Sequence, residues 1–365
     1  MAITMNTKDL MTTLKKAQEF KAKKSTLPVL SMVAIYNDEF SKTCTISATD
    51  LEVFYRGKVM SRGTTTSFCI DPTLLLKVLP KMNGDINLEY IGDSKVHIWS
   101  GNKSIEVGML GIDEFPVFPT SLREEYFVTV PLKNFLEQIN KTFHAVSRDD
   151  IRPLLTGVLF DRNLMAATNG FELSTIPLGV SLSERKFVIP FTSLKKFKLL
   201  DKDFDFLLKS KSDVNSTYDT FFADDGTNSI VGDCISGDFP NYIVIIPSNP
   251  DDPERTKVVL NTKEVKDALE FLMPFTKGSS ETVRINKGVM SVNTEDSQEV
   301  SVTVTNLQAA PEFALNGWIL LDVLKEQLLD GVFTLNMKTT SMPIIFNNCN
   351  PNDGLALIMP IRIGK

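Results

Sequence analysis

Three helix-like apolar stretches begin at Thr7, Pro131 and Asn261, 124 and 130 residues apart, and this spacing limits the fold more than any other feature of the chain. They read "TKDLMTTLKKAQEF", "PLKNFLEQINKTFHAV" and "NTKEVKDALEFLMPF". In the second, Leu132, Phe135, Leu136, Ile139 and Phe143 fall on one face of a helix. Thr7 and Asn261 stand as N-caps, and Glu264, three residues after Asn261, suggests a capping box. A second set follows each of these: "DPTLLLKVLPKM" from Asp71, "PFTSLKKFKLL" from Pro190 and "NGWILLDVLKEQL" from Asn316, offset by 119 and 126. Between them lie alternating, β-branched runs such as "SMVAIYND", "TCTISATDLEVFYRG", "TGVLFDRNLMAATNG" and "QEVSVTVTN", which read as strands.

The pattern predicts three units of one plan, each with two helices on antiparallel sheets, an α+β fold. Domains are expected at 1–122, 123–249 and 250–365. Finer echoes support the repeat. "TLPVLSMVAIYND" resembles "IRPLLTGVLFDRN", and both lead to an Ala-Thr turn, "ATDLEV" and "ATNGFELS". "DEFPVF" and "GDFPNY" close the first and second units. The third unit rests on helix spacing alone.

Composition excludes several classes. No run approaches 18 apolar residues, so no membrane-spanning helix is expected. "MAITMNTKDL" has no leader pattern, and the four cysteines (Cys44, Cys69, Cys234, Cys349) show no CxxC, which points to buried thiols, a cytoplasmic location and no metal site. The two histidines, His97 and His144, are far apart, and no nucleophile, zinc or phosphate-loop motif is present. No catalytic residue and no cofactor is expected. A hydrolase using two carboxylates stays open, because 45 acidic residues offer many pairs.

Charge is segregated. Lys15, Lys16, Lys21, Lys23 and Lys24 crowd the exit of the first helix in a chain of net charge -6. The six helical segments with their exits hold 20 basic and 12 acidic residues, a net +8, and the remainder holds -14. Helices that share one side would offer a positive surface to a polyanion, with salt-sensitive binding that ignores sequence. A repeat-built interaction scaffold without DNA function fits the repeats but not this segregation.

"RPLLTGVLFDRNLMAATNGFEL", "FPNYIVIIP", "STLPVLSMVAI…ATDLEV" and "IMPIRI" resemble the bacterial β sliding clamps, the processivity subunits of replicative DNA polymerases, over essentially the whole chain. The resemblance implies a head-to-tail homodimeric ring that surrounds duplex DNA with helices inside and sheets outside. Its partners would be the polymerase, the clamp loader and other proteins with clamp-binding motifs. It implies DNA contacts at Lys24, Arg148, Arg152 and Lys198. It also implies a partner-peptide pocket of Leu155, Thr168, Gly170, Leu173, Pro240, Ile245, Leu357 and Met359, with Pro360, Ile361 and Arg362 alongside. Such an apolar pocket suits the anchors of a disordered peptide.

For the ring interface, "NKSIEVGML" (Lys103, Ile105, Val107) is expected to meet "NTEDSQEV" (Glu295, Asp296, Glu299) of the next subunit, with Pro274 and Phe275 as apolar contacts. Residues 1–120 carry +1 and residues 251–365 carry -4, in keeping with that polarity. One departure stands out. After "AT" the family commonly has Asp-Gly-His-Arg-Leu, whereas this chain has Asn169, Gly170, Phe171, Glu172 and Leu173. A reversed charge and a new ring at the pocket rim predict a shifted preference, toward more basic or more apolar peptides.

Overall fold

A computed structural model describes residues 2–92, 94–118, 127–182, 185–210, 219–247, 249, 252–276, 281–325, 328–329, 331–348 and 353–363. All six predicted helical stretches form: α1 (Thr7–Gln18), α2 (Pro72–Val78), α3 (Leu132–Asn140), α4 (Phe191–Leu194), α5 (Thr262–Leu272) and α6 (Gly317–Lys325). Four of them run on into short 3-10 turns or are followed by one, at Leu79–Lys81, Phe143–Ala145, Lys195–Leu199 and Met273–Thr276. Pro80 and Pro274 sit in two of these turns, where a missing N–H and a fixed φ end regular helix. Cys349 and the expected domain boundary at 122–123 lie outside the described residues.

The capping expectation is corrected in part. Asn6, not Thr7, caps α1, its Oδ1 accepting from Lys8 N at 2.9 Å and Asp9 N at 3.4 Å. Asn261 caps α5 through Glu264 N at 3.1 Å. The capping box does not close, because the Glu264 carboxylate accepts from the Thr305 backbone and hydroxyl, each at 2.7 Å.

The chain folds into two compact units, one of residues 1–132 and 192–234, the other of residues 133–191 and 235–365. The second of the three expected domains is thus shared between them. Every named strand pairing is antiparallel.

In the first unit a 12-stranded sheet begins with Ala2–Asn6, which pairs both with Asp85–Ile91 and with Val53–Gly63, so its first eight strands close on themselves. The sheet continues through the pairing of Val53–Gly63 with Asn228–Asp233. α1 buries Leu10, Leu14 and Ala17, and Phe20 just beyond it stacks on Tyr55 with ring centroids 4.9 Å apart.

A polar network pins that strand seam. Tyr55 OH donates to Asn228 Oδ1 at 2.7 Å, and Asn228 Nδ2 donates to Asp201 Oδ2 at 2.9 Å and Asp225 Oδ2 at 3.0 Å. Lys16 Nζ reaches Asp201 Oδ2 at 2.6 Å. Burial and the Asp201 and Asp225 charges push the Tyr55 phenol far above its ordinary pKa, so it serves as a donor.

The second unit holds an eight-stranded sheet and a four-stranded sheet. The eight-stranded sheet runs from Lys186–Pro190 through Gly157–Asp161, Leu164–Thr168 and Glu172–Pro177 to Leu355–Ile358, Ile344–Asn348, Val332–Met337 and Thr256–Asn261. It therefore joins strands from residues 157–190 to strands from residues 256–358, with Leu173 opposite Leu357. α3 buries Phe135 and Ile139, and α5 packs against α6.

Candidate functional site

The pocket expected from the sequence falls entirely in the second unit, around the turn at 168–172. Thr168 Oγ1 donates to the Glu172 carbonyl at 2.5 Å and accepts from Gly170 N at 3.1 Å. Asn169 Oδ1 accepts from Phe171 N at 2.9 Å and Glu172 N at 3.1 Å, an Asx-type turn. Gly170 lies at φ +93°, where a side chain is strained. A Cβ there would also come within 3.2 Å of the Arg152 guanidinium.

This geometry separates the two residues of the sequence departure. Phe171 points outward and is 65% exposed, whereas Glu172 is buried. The Glu172 carboxylate meets His144 Nδ1 at 2.8 Å and accepts from Asn169 Nδ2 at 2.7 Å. The expectation of a reversed charge at the rim is therefore overturned, because the strand's alternation turns Glu172 inward to a histidine partner. A preference for basic peptides loses its basis, and the new ring remains. His144, unassigned in the sequence reading, supplies that partner from the turn after α3. Its Nε2 is buried with no hydrogen-bond partner among the described residues.

Burial sorts the remaining pocket residues into floor and rim. Leu173 and Leu357 belong to one core cluster with Leu159, Ala166, Val188 and Tyr242, and Leu155 is also buried. Gly170, Pro240, Ile245, Met359 and Arg362 are exposed, and Pro360 and Ile361 half-buried. Thr168 serves the turn: its hydroxyl is buried and used twice.

The C-terminal segment is held from both sides, Met359 N donating to the Phe171 carbonyl and Ile361 N to the Ala314 carbonyl, each at 2.8 Å. Ile361 and Arg362 also line an adjoining cleft of about 380 Å³ with Glu312, Phe313, Thr340 and Ser341. Tyr242 OH donates to Asp161 at 3.2 Å, and burial with that carboxylate raises its pKa. This fixes the segment Tyr242–Ile245, whose Ile243, Val244 and Ile245 are exposed.

The residues expected to touch DNA divide. Lys24 and Lys198 are exposed in the first unit and Arg148 in the second. Arg152 is exposed too and its guanidinium lies against Gly170, beside the turn at 168–172. Of the opening lysine run, Lys16 pairs with Asp201 and Lys21 with Asp71, while Lys15, Lys23 and Lys24 are exposed.

At the expected ring interface, Lys103, Pro274, Phe275, Glu295, Asp296 and Glu299 are exposed and Ile105 half-buried. The Val107 side chain is buried within its own unit at 6% exposure, because it alternates to the inner face of the strand Lys103–Leu110, which leaves only its backbone for an edge contact. Lys103 Nζ donates to the Lys81 carbonyl in its own chain.

Comparison with known proteins fits this arrangement. Residues 1–119 match the family described as DNA polymerase III beta subunit, N-terminal domain. The chain is 23% identical to the beta sliding clamp of Chlamydia pneumoniae over 100% of its length and 99% of the relative's. It is 22% identical to that of Bacillus subtilis strain 168, over 99% and 100%. The crystal structure of the DNA polymerase sliding clamp from Bacillus subtilis superposes with a TM-score of 0.88 over 100% of both chains, at 19% identity. The DNA polymerase III subunit beta from Pseudomonas aeruginosa gives 0.86 at 18% identity, again over 100% of both. The fold is thus that of the clamp class, helices on antiparallel sheets. Within that class the chain resembles the bacterial β sliding clamps over its whole length.

Proposed function

We propose that this sliding clamp closes as a head-to-tail homodimer around duplex DNA and tethers the replicative polymerase, the clamp loader and other partners through the pocket beside Phe171. The observation that carries the reading is likeness to β sliding clamps over the full chain, in sequence and in fold. Each chain supplies three clamp domains, near 1–122, 123–249 and 250–365, the middle one split between the two compact units. Lys24, Lys198 and Arg148 contact phosphates, joined by Lys15 and Lys23, so binding is salt-sensitive and independent of sequence. Arg152 acts at the peptide pocket.

Ring closure uses two open strand edges. Glu299–Thr303 is the end strand of the four-stranded sheet. Residues 103–108 of Lys103–Leu110 pair with Lys95–Ser100, and on the strand's other side, among the described residues, only Met109 and Leu110 pair, with Thr66–Ile70. Joining two such edges across subunits removes both and buries Ile105, Pro274 and Phe275. The protein acts without catalysis, as a processivity factor in the cytoplasm. Among the described residues no helix is long and apolar enough to cross a membrane.

The test is retention on nicked circular DNA after loading by a cognate loader. Retention that survives moderate salt and is lost when the circle is cut supports encirclement. Equal retention on circular and linear DNA sinks it and favours a scaffold without a ring.

A further inference from the structure

We propose that a cleft of about 350 Å³ in the first unit, lined by Lys42, Met60, Arg62 and Asp85 among others, binds a ribonucleotide. The cleft lies where the strand Ala2–Asn6 pairs with both Val53–Gly63 and Asp85–Ile91. It shares no residue with the peptide pocket or with the proposed DNA contacts.

The site has a cationic end and an acidic end that do not neutralise each other. Ser61 N donates to the Lys42 carbonyl at 2.9 Å, and Arg62 follows Ser61, so both cations stand beside one residue. A pinned turn presents Lys42. The Asp38 carboxylate accepts from Phe40 N at 3.1 Å and Ser41 N at 3.3 Å, and Lys42 takes a left-handed φ of 54°. Arg62 is the register partner of Thr4 on one side of the strand Ala2–Asn6, and Asp85 that of Asn6 on the other. Two strand spacings, roughly 10 Å, therefore separate the backbones of the two ends. Lys42, Arg62 and Asp85 are all exposed, and among the described residues none of them forms an ion pair.

Charge and shape name the ligand. Arg and Lys together hold an oxyanion, Arg through its planar fork and Lys as a point charge. The dipole of α1 adds to that field, since Asn6 is its N-cap. The first N–H groups of the helix are already spent, however: Thr7 N donates to the Gly84 carbonyl, and Lys8 N and Asp9 N to Asn6 Oδ1. Side chains must therefore hold the anion, with Asn6 Nδ2 as a further donor. A carboxylate at the far end suits a pair of sugar hydroxyls, as in dinucleotide sites. Met60, 69% exposed, offers a thioether to the face of a flat ring. Phosphate, ribose and base joined in one molecule meet all three features. Phosphate alone would leave Asp85 and Met60 without a role, and two cations against one carboxylate suit one phosphate better than three.

Methyl NMR on the full-length chain, labelled with carbon-13 at the methionine methyls, tests this with adenosine monophosphate (AMP). Met5 and Met60 line the cleft, while Met359 reports on the peptide pocket, and Met60→Leu identifies the Met60 signal. AMP is expected to move the Met60 methyl and leave Met359 in place. Deoxy-AMP should bind about threefold more weakly and adenosine about tenfold more weakly. Asp85→Asn should bring AMP and deoxy-AMP together. Lys42→Ala combined with Arg62→Ala should bring AMP down to the level of adenosine. These side chains are exposed, so the variants cost little stability.

A Met60 signal that stays in place at millimolar AMP overturns the site. Equal binding of AMP and adenosine overturns the phosphate end, and equal binding of AMP and deoxy-AMP the ribose end. Inorganic phosphate that binds as tightly as AMP overturns the nucleotide and leaves an anion site. A DNA duplex that moves Met60 as AMP does overturns it as well, by giving these cations to nucleic acid. The encircling function stands or falls separately, on retention by circular DNA.

Discussion

The turns at 49–53 in the first unit and 168–172 in the second use one backbone device for two purposes. In the first, Thr49 Oγ1 donates to the Val53 carbonyl at 3.0 Å and accepts from Leu51 N at 2.9 Å. Asp50 Oδ1 accepts from Glu52 N at 3.2 Å and Val53 N at 3.0 Å. Thr168, Asn169 and Glu172 repeat these bonds one for one. The third residue is left-handed in both, Leu51 at φ 81° and Gly170 at φ 93°.

What differs is the fifth residue. In the first turn Val53 is a buried apolar side chain, and Asp50 spends its other oxygen on Lys196 at 3.3 Å. In the second, buried Glu172 draws Asn169 and His144 into a polar core beneath an exposed ring. A repeated scaffold thus keeps its main-chain bonds while one position changes a plain turn into the support of a surface.

The largest effect expected from breaking this contrast is at Glu172. Glu172→Ala leaves His144 Nδ1 and Asn169 Nδ2 without partners inside the second unit. Removing one member of a buried pair costs about 3–5 kcal/mol. Val53→Ala, the matching change in the first turn, removes only apolar bulk and costs about 1–3 kcal/mol. Urea midpoints for the two variants give the ranking, and a smaller loss for Glu172→Ala than for Val53→Ala would mean that the buried pair does not hold the second turn in place.

Exchanging the second residues sharpens the same contrast at lower cost. Asn169→Asp keeps the oxygen that caps the turn but sets a carboxylate against Glu172, which is expected to cost about 2 kcal/mol. Asp50→Asn keeps the same cap and loses only the partly exposed pair with Lys196, worth about 0.2–1 kcal/mol. Lys196 also lies 4.8 Å above the Phe20 ring, so it retains a contact in the variant. Equal losses from the two exchanges would show that the cap, not the buried carboxylate, governs both turns.

How far the sequence carried this site depends on the type of interaction. Apolar periodicity located all six helices, because 3.6-residue spacing reports burial directly. The Ala-Thr echo located both turns, since an Asx turn is made within five residues. The resemblance supplied the residues expected at the pocket, of which Leu173 and Leu357 are register partners on adjacent strands. Long-range polar pairing was not legible. His144 and Glu172 are 28 residues apart, and one sequence gives no sign that they meet. Strand alternation does predict that Glu172 faces away from Phe171, a signal that the charge argument overrode. A basic residue beside a turn looks alike in a DNA-contacting and a pocket role, so the sequence does not separate the two for Arg152. Also not legible was the pairing of strands far apart in the chain, Val53–Gly63 with Asn228–Asp233 and Glu172–Pro177 with Leu355–Ile358, which sets the two compact units. Local patterning carries no register between distant strands.

The smallest effect lies at the left-handed residue, and its sign should reverse between the turns. An L side chain at positive φ costs about 1–2 kcal/mol, whereas glycine gives up about 0.5–1 kcal/mol of chain entropy on folding. Gly170→Ala therefore brings strain, and its Cβ meets the Arg152 guanidinium at 3.2 Å, so a loss of about 1–2 kcal/mol is expected. Leu51→Gly relieves strain already present and gives up a side chain that is 49% exposed, for a net gain of about 0.5 kcal/mol. Thermal melts of the two variants decide the matter. Opposite shifts mean that the second turn uses glycine for both its backbone and the close approach of Arg152. A loss in both would show that Leu51 earns its strained position through packing, and the two turns would then differ at their third residue as well as their fifth.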